Sequence, residues 1–233
     1  MKQAMIFAAG LGTRLKPLTD TMPKALVRVG EQPLIWHVIQ KLKQAGYERI
    51  VVNVHHFAQQ IITYLEANDN FGLDIRISDE TSQLLETGGG IKKAMPLFDP
   101  NEPILIHNVD ILSNLDLEAL PMDAPLLVVS QRQTKRYLMF DDDMRLHGWT
   151  NIETGELKGE KANRLLAFSG IHVFHPSLVP LLAEWPDRFP IMDFYLKACG
   201  SHLIRGYEAH DLRLLDVGKL DTLDNAEKFI KSL

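Results

Sequence analysis

The sequence has a single cysteine, Cys199, in 233 residues. No intrachain disulfide can form and no cysteine cluster exists to hold zinc, so the thiol reads as a helix-packing group. No uninterrupted apolar run approaches the roughly 18 residues that a membrane span needs. The apolar stretch Met1 to Ala9 is shorter than a signal h-region and runs straight into Gly10 and Arg14. A targeting segment is therefore not expected, and a reducing cytoplasm is the expected setting. Positive charge is not in surplus either. Lys and Arg number 25 against 30 Asp and Glu, a net charge of −5, which argues against a general nucleic-acid binder. Internal repeats, low-complexity tracts and charge runs are missing, which excludes solenoids and acidic or basic tails. What remains is 45% hydrophobic, enough for a sizeable core in one large α/β domain or two small ones.

The chain is organised around residues 4–24. Ala4 to Ala8 are small and apolar, as suits a buried parallel strand. Gly10 and Gly12 follow, then Thr13 and Arg14, and Lys24 comes behind Pro23. Glycines let a backbone approach an anion closely, and loop N–H groups can cradle phosphate oxygens. Arg14 and Lys24 add permanent positive charge to the same bend. This is no Walker loop, because no Gly-Lys-Ser/Thr follows, and it lacks the third glycine of the dinucleotide fingerprint. A triphosphate pocket at the carboxyl end of the first strand is expected.

Further along, helical spacing of Leu34, Ile35, Val38, Ile39 and Leu42 predicts an amphipathic helix with Pro33 at an early position and Gly46 at its end. Strands are expected over 49–54 and 73–77, with a helix around Phe57 to Leu65 between them. This βαβαβ alternation predicts a parallel sheet with helices on both faces. Leu85-Glu86-Thr87-Gly88-Gly89-Gly90 opens a helical run from Ile91, and three glycines there permit close approach of a flat or anionic ligand. A strand over 103–106 delivers His107-Asn108-Val109-Asp110, and an Asp at the carboxyl end of a central strand lies where α/β ligand sites gather. His107 reads as a packed histidine. Asp141-Asp142-Asp143 reads as the tip of a hairpin rather than a metal motif. Asn151 to Gly159 is a polar loop or second hairpin. Ser169-Gly170 is a bend before a strand over 170–174, and Asp193 either caps a helix or reaches a ligand. Leu220, Leu223, Ala226, Phe229 and Ile230 form a closing amphipathic helix.

Gly10-x-Gly12-Thr13-Arg14, with Pro23-Lys24 ten residues on, resembles the signature of sugar-1-phosphate nucleotidyltransferases. Leu85-Glu86-Thr87-Gly88-Gly89-Gly90 resembles the version of the base loop in N-acetylmuramate-1-phosphate uridylyltransferases. Leu214-Leu215-Asp216-Val217-Gly218 is similar to the family's Trp-x-Asp-Val/Ile-Gly segment, with Leu214 where Trp is frequent. Val109 stands where the family usually has Gly. The resemblance covers essentially the whole chain and implies an α/β fold: a Rossmann-like, doubly wound, mixed, mostly parallel sheet with a GT-A-like nucleotidyltransferase core and β-hairpin insertions. It implies a single nucleotidyltransferase domain over 1–233, nucleotide-binding over about 1–130 and sugar-phosphate-binding over about 131–233. The left-handed β-helix that many bifunctional relatives add is not expected, since its hexapeptide repeats are lacking.

The resemblance also implies the site. Nucleotide contacts fall to Ala8, Ala9, Gly10, Leu11, Gly12, Thr13, Arg14, Lys24, Gln83, Thr87, Gly88, Gly89 and Asn108. Sugar contacts fall to Glu86, Ser169, Gly170 and Asp193. Asp110 and Asp216 would hold Mg²⁺, and Arg14, Lys24, Asp110 and Asp216 would carry catalysis. The implied reaction is attack of a sugar 1-phosphate on the α-phosphorus of a nucleoside triphosphate, UTP by preference, with pyrophosphate leaving. That nucleophile is anionic at neutral pH, since a phosphate monoester has a second pKa of about 6, so no Ser, Cys or His triad is required. Mannose 1-phosphate with GTP, glucose 1-phosphate with UTP or dTTP, and phosphocholine with CTP stay open. Phosphocholine would need an aromatic cage, and the spacing of Trp149, Trp185 and Tyr195 offers none. Outside the class stand an inactive nucleotide-binding regulatory module and a glycosyltransferase. No nucleic-acid or membrane partner is expected, and the chain would be a monomer or small homo-oligomer.

Overall fold

A computed structural model describes all 233 residues. Ala4 and Ile6 of β1 (Lys2–Phe7) belong to one buried cluster and Met5 to another, one on each face of the sheet. A strand's two-residue period under cover on both sides dictates that division. After a bend, β2 (Arg28–Val29) and β3 (Gln32–Pro33) form a two-residue ladder, and α1 (Leu34–Gln44) follows. Pro33 is extended and precedes α1 instead of occupying its first turn, because it pairs with Arg28. The helix buries Leu34, Ile35, Val38, Ile39 and Leu42, at about 1.5–3 kcal/mol for each such side chain.

The alternation continues through β4 (Tyr47–Val54), α2 (Ala58–Ala67), β5 (Asp74–Asp79), α3 (Glu86–Ala94) and β6 (Ile104–Asn108). Then come the short β7 (Ile111–Ser113), β8 (Leu126–Ser130), the hairpin strands β9 (Arg136–Phe140), β10 (Leu146–Asn151) and β11 (Glu156–Gly159), and the long β12 (Arg164–Phe174). The chain closes with α4 (Ile191–Ala198), β13 (Arg205–Glu208), β14 (Leu214–Asp216) and α5 (Leu220–Ile230). The main sheet runs β5-β4-β1-β6-β12-β9-β10-β11, with β8 beside β12 and β13 beside β8. Neighbours among β5, β4, β1 and β6 are parallel, and β12 runs antiparallel to β6, β8 and β9. The alternation's parallel strands are β5-β4-β1-β6, and the whole is the doubly wound mixed sheet that the resemblance implies.

Three local features differ from the sequence expectation. Helix α3 starts at Glu86, so the glycines lie inside it rather than ahead of it. Strand β12 does not begin at Gly170 but runs through it. Gly170 takes φ +78° where the ladder shifts between Phe168 and His172, a bulge that an L side chain would strain. The ladder of β7 with β14 was not signalled at all. The acidic turn is a turn: the Asp141 carboxylate accepts from the amides of Asp143 and Arg145 at 3.1 and 2.8 Å. No helix is long and apolar enough to cross a membrane.

Candidate active site

The bend after β1 is held by packing and by its own hydrogen bonds. Gly12 has φ +63°, and a Cβ there would lie 2.8 Å from Thr19 Cγ2 and 3.1 Å from Lys24 Cβ. Its carbonyl accepts from Thr19 Oγ1 and the Leu15 amide, both at 2.8 Å. Glycine thus lets the return segment fold back until Lys24, itself buried, reaches the end of β6. There the Lys24 ammonium pairs with the Asp110 carboxylate.

Asp216 arrives from the far end of the chain. In the β7–β14 ladder Asp216 lies opposite Ile111, and the Val217 amide donates to the Asp110 carbonyl at 2.8 Å. Burial, then the charge of Asp110, raises the Asp216 carboxyl above its usual range, while Lys24, Arg14 and Arg132 pull it back. A Cβ on Gly218 would lie 2.7 Å from Asp216 Oδ1 and 2.8 Å from Arg14 Nη2, so carboxylate and guanidinium converge over that glycine. The structure therefore brings Arg14, Lys24, Asp110 and Asp216 together. Two neighbouring carboxylates are a fitting pair of hard oxygen donors for a divalent cation. No three His, Cys, Asp or Glu side chains are placed to hold a metal ion together, so a cation here would draw its other ligands from phosphate and water.

Beside them lies a cavity of about 390 Å³, lined by Ala8, Ala9, Gly10, Lys24, Glu86, Thr87, Asn108 and Asp110 among the expected residues. Val109 is buried in the core and also lines the cavity, its amide donating to the Phe7 carbonyl at 3.2 Å. Thr87 Oγ1 accepts from the Ile191 amide at 2.9 Å, and Glu86, at φ +61°, pairs with Arg188 at 3.2 Å. Gly170 abuts the same edge, where a Cβ would lie 2.8 Å from Asn108 Nδ2.

Other expected contacts are not brought to this cavity. Ala8 and Ala9 line it, but their amides are spent within the fold: both donate to Asn53 Oδ1, at 2.7 and 3.3 Å. Leu11 and Thr13 are exposed beyond the bend, and Gln83 projects into solvent from the loop after β5. Gly88 and Gly89 do not border the cavity. Both amides donate to the Phe189 carbonyl, at 2.8 and 3.2 Å, and a Cβ on either would overlap the Phe189 ring or the Asp187 carbonyl. The close approach these glycines permit is that of the chain's own 187–189 segment. Ser169 is buried off the cavity wall, its Oγ without a partner. Asp193 neither caps α4 nor turns to the cavity, because it pairs with Lys158 of β11 at 2.9 Å.

The cavity also takes Asn53, Glu80, Leu84 and Pro190, which sequence reasoning missed. Asn53 lies at the carboxyl end of β4 and Glu80 just past that of β5. Polar residues closing apolar strands on the ligand edge of a parallel sheet are the signal that would have found both. Arg132 carried no such signal. Its guanidinium donates to the Phe168 carbonyl at 2.7 Å and lies within Coulomb reach of Asp216.

Residues 3–125 match the family model described as nucleotidyl transferase. Over 111 residues the chain is 50% identical to an N-acetylmuramate alpha-1-phosphate uridylyltransferase of Caulobacter vibrioides, a match covering 47% of this chain and 46% of that protein. Over 246 residues it is 36% identical to a mannose-1-phosphate guanyltransferase of Kluyveromyces lactis, covering 99% of this chain and 65% of that one. The chain thus spans about half the length of the first relative and less than two thirds of the second. Among solved structures it resembles a UDP-glucose pyrophosphorylase complexed with UDP-glucose, with a TM-score of 0.78 at 17% identity, over 100% of this chain and 99% of that one. At that identity the likeness speaks to the fold.

Proposed function

The chain belongs to the nucleotidyl transferase family, and from that premise we propose that it joins a sugar 1-phosphate to a nucleoside triphosphate, with N-acetylmuramate 1-phosphate and UTP as the pair. The supporting observation is the convergence of two carboxylates and two cations, from three separated stretches of chain, beside a 390 Å³ cavity.

In this reading an oxygen of the sugar phosphate attacks the α-phosphorus of UTP. The bond from that phosphorus to the bridging oxygen breaks, and pyrophosphate departs with the electron pair. Two anions must be brought together, so the protein's task is alignment and charge compensation. Lys24, beside Asp110, would stabilise charge at the reacting phosphorus. Arg14 would hold the departing phosphates, and the backbone from Gly10 to Gly12 would seat the chain of phosphates. Magnesium held by Asp110 and Asp216 would supply further charge neutralisation between the phosphates. Nucleotide contacts would come from the wall formed by Thr87, Asn108 and Gly10, and sugar contacts from Glu86 and the Gly170 bulge. One domain would serve both substrates, with the nucleotide on the first 130 or so residues and the sugar on the rest.

The higher identity to the uridylyltransferase favours N-acetylmuramate 1-phosphate and UTP. The broader match to the guanyltransferase supports mannose 1-phosphate and GTP as the second reading. A matrix of nucleoside triphosphates against sugar 1-phosphates, read by liberated pyrophosphate, decides between them. The highest kcat/KM is expected for UTP with N-acetylmuramate 1-phosphate. A preference for GTP with mannose 1-phosphate would transfer the assignment, and no pyrophosphate from any pair would end it.

A further inference from the structure

Two buried polar side chains outside the reacting centre connect the two loops that line the cavity. Asn53 Oδ1 accepts from the amides of Ala8 and Ala9, on the phosphate side. Asn53 Nδ2 donates to Glu80 Oε1 at 2.8 Å. Glu80 Oε2 accepts from the Leu85 amide at 3.1 Å, at the foot of α3, where Glu86 and Thr87 line the cavity. The Glu80 carbonyl also meets His55 Nδ1 at 2.6 Å and accepts from the Gln83 amide at 3.0 Å. Glu80 is wholly buried and Asn53 nearly so. Gly90 leaves room for the pair, since a Cβ there would lie 2.8 Å from Glu80 Oε1 and 3.1 Å from Asn53 Nδ2.

The polarity of this chain of bonds is fixed from both ends. Ala8, Ala9 and Leu85 present only N–H donors, so the side chains between them must offer acceptors at both ends. One amide and one carboxylate satisfy that requirement. Two amides do not, because one NH₂ group must then face another donor. A protonated carboxyl fails for the same reason.

We propose that Glu80 and Asn53 are positioning residues, setting nucleotide affinity by locking the phosphate bend to the base loop through this one-way relay. The inference rests on the reading of the cavity as a nucleoside-triphosphate site. Neither residue takes part in the bond changes, so their loss acts first on nucleotide binding and reaches the sugar 1-phosphate only through Glu86 at the foot of α3.

The test is a swap. Glu80→Gln puts an NH₂ against Asn53 or Leu85. Asn53→Asp puts a carboxylate against a carboxylate. The double variant Asn53→Asp, Glu80→Gln restores every bond with the charge moved to position 53. Each single variant is expected to bind UTP about ten- to hundredfold more weakly, the effect of one buried group left unpaired. KM for the sugar 1-phosphate at saturating UTP should stay within about twofold, and the double variant should recover UTP affinity to a similar margin. Single variants that bind UTP like the unaltered protein overturn the proposal. So does a double variant no better than the weaker single one, or one that does not fold. If the single variants do not fold, recovery of both fold and UTP binding in the double variant supports it. An unaltered protein that binds no nucleoside triphosphate would instead refute the assignment of the cavity.

Discussion

Lys24 stands as one cation between an acid pair and the place proposed for the phosphates. Its ammonium already neutralises Asp110, and it counters the protonation that burial and Asp110 favour at Asp216. Lys24→Ala is therefore expected to lower kcat by about 10²–10³, the loss seen when one preorganised donor is removed, with UTP affinity falling less than tenfold. Equal losses in kcat and affinity would make Lys24 a binding residue only. Asp110→Asn and Asp216→Asn should each abolish pyrophosphate release while keeping a native circular-dichroism spectrum, and normal turnover by either would remove it from the reacting centre. These four charges were readable in the sequence because each sits in a short motif with glycine, proline or apolar strand around it. Asn53 and Glu80 carried only the weaker signal of a polar residue closing an apolar strand, which does not say that the side chain turns inward and feeds a distant amide.

Among the elements, the glycine run of α3 shows where reasoning from local chemistry failed. Glycine permits close approach, and the sequence does not say of what. Here the visitor is the 187–189 segment, a hundred residues on, which takes both amide donors. Gly88→Ala should consequently cost about 1–3 kcal/mol by overpacking against Phe189. In a thermal melt that is a fall of roughly 2–4 °C per kcal/mol for a chain of this size. UTP affinity should change less than threefold, because Gly88 does not border the cavity. A large affinity loss with an unchanged melting temperature would return Gly88 to the base site. The main strands and helices followed from period-two and period-3.6 patterns with turn residues between them. The β7–β14 ladder escaped because three residues are too few to show a period, and its partner lies far along the chain. Yet that ladder is what brings Asp216 to Asp110.

For the molecule as a whole, the centre of the sheet carries a liability toward acid. His107 on β6 and His172 on β12 lie on adjacent strands, both fully buried between the two apolar layers. Burial holds His107 down to about 4 and His172 to about 3. His172 Nδ1 meets the Tyr195 hydroxyl at 2.7 Å with no acidic group acting on it, while at His107 the Asn108 carbonyl and the charge of Asp110 offset only part of the burial, to which Lys41 adds. Above about pH 7.5 both rings are neutral whether the chain is folded or not, and neither adds any pH dependence. Below that, the unfolded chain takes up the protons and the folded one does not, so stability falls as pH falls toward the depressed values. The raised carboxyls of Glu80 and Asp216 work in the opposite sense, favouring the folded state as pH drops toward the ordinary acid range. A comparison that isolates one histidine removes that overlap. The stability advantage of the unaltered protein over His172→Gln, from denaturant titrations at pH 7.5, 6.5, 5.5 and 4.5, should be flat at the top of the range. It should then shrink by up to about 1.4 kcal/mol per pH unit below 6.5. A gap that stays constant down to pH 4.5 would mean that His172 titrates in the folded state as it does in the unfolded chain, and that the middle of the sheet admits a charge its packing should refuse.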